Sequence, residues 1–157
     1  MSLGKCAVIY YSQSGVTKQV AEAIKAKANA DMYFVEPEKE YTGYIASIIR
    51  VGKEKLTRRP AKLKTEVADF ASYDAIFIGF PVWYGTVPPF FQEYLKQCDL
   101  KGKRIIPFAT TIKTGKDASL NTLKEILPEA NIDAANYYFA AKNDKPDVNQ
   151  WLDDLMK

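Results

Sequence analysis

The chain is 157 residues long, 47% hydrophobic and 26% charged, enough apolar material to bury a core without metals or disulfides. It contains no histidine, which excludes imidazole-based mechanisms from Ser-His-Asp and Cys-His catalysis to histidine metal ligation, and leaves a bound cofactor as the natural source of chemistry. A formal net charge of +3 is too small to indicate nucleic-acid binding, and no apolar run reaches the roughly 20 residues of a membrane span.

Short apolar runs alternate with amphipathic stretches along the chain. Cys6-Ala7-Val8-Ile9-Tyr10-Tyr11 is nearly continuous in apolar character, as a strand covered on both faces should be. From Val16 onward, Val20, Ala23, Ile24 and Lys27 fall at helical spacing, so Ser12 to Gly15 lie between a buried strand and a helix start. Met32-Tyr33-Phe34-Val35 reads as a second strand. Thr42 is a candidate N-cap, after which Ile45, Ile48, Ile49 and Leu56 mark one face of a second helix, closed by Arg58-Arg59-Pro60. Ala75 to Phe80 form a third buried strand. Pro88 and Pro89 suit a helix's first turn, and Phe91, Tyr94, Leu95 and Cys98 give that helix its inner face. The fourth strand, Ile105 to Ala109, contains Pro107, which removes a ladder donor and predicts an edge or an irregularity. Leu120, Leu123, Ile126 and Leu127 fit a helix ended by Pro128, Tyr137 to Ala140 a last strand, and Val148, Trp151, Leu152 and Leu155 a closing helix.

Five strands alternating with about five helices predict an α/β fold, a three-layer doubly wound parallel sheet in one domain over residues 1–157. Eight βα units would be needed for a TIM barrel, and the single glycine after Tyr11 is not the G-x-G-x-x-G of a dinucleotide-binding domain. Cys6 and Cys98 lie far apart with no CxxC and read as reduced thiols. The N-terminus lacks the pattern of a secretory signal, so a cytoplasmic location is expected.

In an open α/β sheet, ligands sit beyond the carboxyl ends of the strands. Three loops leave such ends here. Ser12, Gln13, Ser14, Gly15, Val16 and Thr17 bring hydroxyls and helix-start N–H groups together without a lysine or arginine, which suits a phosphate that stays bound and lacks the Walker lysine of an NTP site. A plain serine helix cap is the alternative. Pro81, Val82, Trp83, Tyr84 and Gly85 place two large aromatics where a chain normally turns with small residues, either to cover a flat ligand or, for Trp83, to plug the core. Thr110, Thr111, Ile112, Lys113, Thr114 and Gly115 add hydroxyls, amides and one charge.

The run Val8 to Thr17, the run Tyr73 to Gly85 and the stretch Pro107-Phe108-Ala109-Thr110-Thr111 resemble flavodoxins, in order and over nearly the whole chain. The resemblance implies strand order 2-1-3-4-5 and FMN as cofactor, the pairing for which flavodoxin is the standing example. It also implies that residues 12–17 bind the FMN phosphate, that residues 81–85 line one side of the isoalloxazine with Trp83 or Tyr84 stacked on it, and that residues 110–115 close around the ring. Two features depart from the family. Ile112 and Lys113 stand where related chains carry glycines, and the chain is mildly basic where electron-carrier flavodoxins are acidic.

The resulting expectation is an electron-transfer protein that cycles FMN between oxidised, semiquinone and hydroquinone states, with a reductase and an acceptor as redox partner proteins. The alternatives are an FMN-dependent NAD(P)H:quinone-type oxidoreductase and a flavodoxin-fold binding module that has lost FMN. Between residues 50 and 64, Arg50, Lys53, Lys55, Arg58, Arg59, Lys62 and Lys64 face only Glu54 in sequence, either as a solvated face or as a docking patch for an acidic partner.

Overall fold

The computed structural model describes residues 3–40, 44–57, 62–112 and 115–157. Among them, six strands and five α-helices follow one another as β1 (Cys6–Tyr10), α1 (Val16–Ala28), β2 (Asp31–Phe34), α2 (Tyr44–Thr57), β3 (Ala75–Pro81), α3 (Pro89–Gln97), β4 (Arg104–Thr111), α4 (Lys116–Ile126), β5 (Asn131–Ile132), β6 (Tyr138–Ala141) and α5 (Val148–Leu155). All the pairings are parallel, in the order β2-β1-β3-β4-β5, with β6 also on β4.

The pleat explains why the central strands read as unbroken apolar runs. Cys6, Val8 and Tyr10 of β1, with Ala75 and Phe77 of β3, pack on Val20, Ala21 and Ile24 of α1 and on Leu152 and Leu155 of α5. Ala7 and Ile9, with Ile76 and Ile78, face the other way onto Val51 of α2, Phe90, Phe91, Tyr94 and Leu95 of α3, and Leu123 of α4. Both faces are therefore covered, as a parallel sheet requires. At its centre, Gly79 lies opposite Phe108, whose ring fills the space a Cβ on Gly79 would need.

Three expectations change. The fifth sheet position holds two short strands in tandem, β5 and β6, of which only β6 was legible as an apolar run. The break between them explains why Pro107 is tolerated. Asn131 and Asp133 donate backbone N–H bonds to the carbonyls of Lys103 and Ile105, so odd-numbered residues of this strand turn their backbone groups outward. Pro107, next in that series, falls between the stretch paired with β5 and the stretch paired with β6, where a missing donor leaves nothing unsatisfied.

The second change concerns α2. Ile49 and Leu56, expected inside, are 65% and 86% exposed, and Ser47, Val51 and Glu54 form the buried side. The polar members of that side have partners: Gln13 Nε2 donates to Ser47 Oγ at 2.8 Å, and Arg50 lies 3.2 Å from Glu54. The side chains of Ile45, Ile48 and Lys55, together with Thr42, Arg58, Arg59 and Pro60, lie outside the described residues. The third change is one of boundaries. Pro81 ends β3, and Thr110 and Thr111 end β4, so these expected loop residues belong to strands.

Candidate functional site at the carboxyl ends of β1, β3 and β4

Because the sheet is parallel, the segments after β1, β3 and β4 emerge on one edge. Gly15, at φ 91°, takes the left-handed backbone that turns the chain into α1, and space is open where its Cβ would stand. Ser12 Oγ accepts N–H bonds from Gly15 at 3.1 Å and Lys18 at 3.2 Å, so the helix-start donors converge on this hydroxyl. Ser12, three residues before the N-cap Gly15, thus ties down the start of α1. Gln13 and Ser14 are exposed along its rim, and Val16 opens the helix. Thr17 turns inward. It is buried, and its hydroxyl shares a 2.8 Å hydrogen bond with that of Thr110, tying the first loop to the end of β4.

The second loop is a tight reversal. Trp83 and Thr86 exchange backbone hydrogen bonds of 2.9 and 3.0 Å, leaving Tyr84 and Gly85 at the tip with φ of 50° and 71°, the backbone of a mirror-image two-residue turn. A tyrosine at positive φ is strained, of order 1–3 kcal/mol, and this one is 47% exposed. Trp83 goes the other way. It is half-buried and meets Tyr11 edge-on at 5.6 Å. The two aromatics thus part company: Trp83 packs against the core and Tyr84 presents its ring to solvent. Tyr84 Oη reaches α2, where a Cβ on Gly52 would approach it to 2.8 Å.

The third segment is joined to the second in two places. Val82 N–H donates to the Thr110 carbonyl at 2.8 Å. Gly115, at φ 120°, packs so closely that a Cβ there would stand 2.7 Å from Val82 Cγ1 and 3.1 Å from the Gly85 carbonyl. Thr111 is half-buried and Ile112 is 54% exposed, while Lys113 and Thr114 lie outside the described residues. Sequence reasoning passed over Tyr11 and Phe34. Their rings stack at 6.1 Å with 5° between planes beside Trp83, and the available signal was their place at the ends of apolar runs. Burial pushes the Tyr11 phenol well above its ordinary range, so it stays protonated.

A shallow depression of about 450 Å³ lies elsewhere, between the end of α4 and β5. On its wall Arg104 and Asp133 pair at 2.7 Å. Among the described residues, no cluster of acids or cysteines is placed to hold a metal, and no helix is long and apolar enough to cross a membrane.

A parallel 2-1-3-4-5 sheet with three interlocked loops at its carboxyl edge defines a doubly wound protein of the flavodoxin-like class. The flavodoxin family model matches residues 5–155, and the chain belongs to the flavodoxin family. Among solved structures, it is similar to a provisionally assigned flavoprotein from Bacteroides uniformis ATCC 8492, at 26% identity and TM-score 0.81 over 96% of this chain and 98% of that one. A second, from Bacteroides eggerthii DSM 20697, gives 26% identity and TM-score 0.77 over 96% of each chain. The fold is shared with a flavoprotein from Lactobacillus acidophilus NCFM solved in complex with FMN, at 23% identity and TM-score 0.75 over 94% of this chain and 98% of that one. No curated protein matches the sequence.

Proposed function

We propose that this protein binds FMN at the carboxyl edge of its sheet and serves as an electron-transfer flavodoxin between a reductase and an acceptor protein. The observation that carries the reading is the exposure of Tyr84 and Ile112 on adjoining loops, next to a neutral set of donors at the start of α1. Large apolar side chains beside backbone N–H groups held only by a serine hydroxyl suit a ligand with a flat ring at one end and a phosphate at the other. The L. acidophilus flavoprotein, of the same fold, holds such a ligand.

The residues present fit the group. The N–H groups of Gly15 and Lys18, now on Ser12 Oγ, with the hydroxyls of Ser12 and Ser14, would hold the phosphate, and open space at Gly15 leaves the backbone accessible. Tyr84 would cover one side of the ring and the segment around Ile112 would close its edge. FMN, when bound, supplies the redox chemistry. The chain binds the cofactor, orients it and limits solvent access, with Thr17 and Thr110 bracing the phosphate loop against β4.

The purified protein is expected to be yellow and to carry FMN near one per chain. A colourless protein that cannot be reconstituted with FMN overturns the reading in favour of a binding module. Rapid reduction by NADPH alone, without a reductase, overturns the carrier role in favour of an NAD(P)H-dependent oxidoreductase.

A further inference from the structure

Helix α2 turns one stripe to solvent: Ile49, Gly52, Lys53 and Leu56, spaced i, i+3, i+4 and i+7. Its large apolar members have no cover, at 65% exposure for Ile49 and 86% for Leu56. Gly52, in the middle of the stripe, is where Tyr84 Oη comes to rest, so the stripe runs directly into the outward ring of the second loop. The helix is also tied to the first loop through the bond from Gln13 Nε2 to Ser47 Oγ.

The charge of residues 50–64 is one-sided, with Glu38 and Glu40 as exposed acids on the neighbouring segment. Glu54, the acid that the sequence sets against the basic run, is buried, lies 3.2 Å from Arg50 and offers nothing to a partner. Arg50 is also occupied, donating from Nη1 to the carbonyls of Lys39 at 2.7 Å and Glu40 at 3.0 Å. Lys64 faces Glu36 at 3.5 Å. Lys53, between Ile49 and Leu56, and Lys62, beyond the helix, are exposed, and Lys55, Arg58 and Arg59 add positive charge to the same segment.

We infer that the outer stripe of α2, continuous with Tyr84, is the docking surface for an acidic redox protein that presents a small apolar centre ringed by carboxylates. Charge complementarity selects this occupant. A second copy of the chain would set lysine against lysine, and the described stripe carries two large apolar side chains where a membrane-lying helix needs a broad apolar face. The partner's role as electron donor or acceptor rests on the flavin-binding reading, whereas the docking contact itself does not.

The test is titration calorimetry of the purified full chain against an acidic plant-type [2Fe–2S] ferredoxin, with a basic cytochrome c as control and bound flavin measured on every preparation by absorbance. The ferredoxin is expected to bind, at least ~10-fold more weakly in 200 mM than in 20 mM NaCl. Leu56→Asp and Lys53→Glu are expected to weaken it by roughly tenfold and fivefold, with flavin content and melting temperature unchanged. Lys25→Glu, on the exposed side of α1, is expected to leave binding as it was. No ferredoxin binding, salt-independent binding, tighter binding to cytochrome c, or equal weakening by Lys25→Glu overturns the inference. So does a wild-type dimer in sedimentation that Leu56→Asp dissolves, or binding to phosphatidylserine vesicles that Leu56→Asp abolishes; these would assign the stripe to a second copy or to a membrane. Colourless protein that still binds ferredoxin through Leu56 keeps the docking surface and removes only the flavin.

Discussion

The two ends of one parallel sheet are built differently. At the amino ends of the strands, polar groups are matched in pairs: the Lys5 N–H donates to Asp74 at 2.7 Å, Tyr73 Oη donates to Asp31 at 2.6 Å, and Arg104 lies 2.7 Å from Asp133. At the carboxyl ends, the groups are neutral hydroxyls, a tyrosine at positive φ and the exposed side chains of Tyr84 and Ile112. A matched edge contributes stability and needs no ligand. The other edge keeps backbone strain and uncovered apolar surface, which a ligand would cover.

Substitutions at the two ends should therefore separate FMN affinity from stability. The largest effect is expected for Gly115→Ala, whose methyl would collide with Val82 and the Gly85 carbonyl and force the third segment off the second. FMN affinity should fall by about 30-fold, roughly 2 kcal/mol, measured by fluorescence titration of the apoprotein. Next comes Tyr84→Gly. Loss of the ring should weaken FMN about tenfold, while relief of positive φ keeps the melting temperature level or raises it. A parallel loss of stability would show that Tyr84 belongs to the core.

The matched edge should behave in the opposite way. Arg104→Ala is expected to cost about 1 kcal/mol in chemical denaturation with FMN affinity unchanged. Burial opposes ionisation of Asp133, but hydrogen bonds from Arg104 and Asn136 outweigh it and hold the carboxyl below its ordinary range. A lowered folded-state pKa contributes stability that is complete above the unfolded value of about 4 and is lost as pH falls through the folded one. Denaturation midpoints measured below about pH 5 should accordingly decline less steeply in Arg104→Ala than in wild type. The smallest expected signal is cysteine labelling. Burial pushes the Cys98 thiol up to about 12 and raises that of Cys6 as well, so a thiol reagent at pH 8 should modify neither until the chain unfolds.

Much of this architecture was legible beforehand for a simple reason. Strands buried on both faces leave short apolar runs, marked as strands by their length and β-branched and aromatic content, and the serine-rich loop after Tyr11, the aromatic pair after Pro81 and the threonines after Ala109 each follow such a run. Helix α1 was equally clear, because Val20 and Ile24 point in and lysines point out. In α2 the same reasoning chose Ile49 and Leu56 for the inside, since apolar residues occur all around that helix and periodicity cannot rank one side above another. The short β5 left no signal, because two residues cannot display a period.

The sequence by itself determined the alternation of strands and helices, and with it the edge on which a ligand must sit, because chain direction in a parallel sheet puts every such loop on one side. Tertiary structure decided which aromatic faces outward. That choice depends on the positive φ of Tyr84, on the space beside Gly52, and on Tyr11 standing ready to receive Trp83. The last two are contacts between residues far apart in the chain, and no local pattern of side chains encodes them.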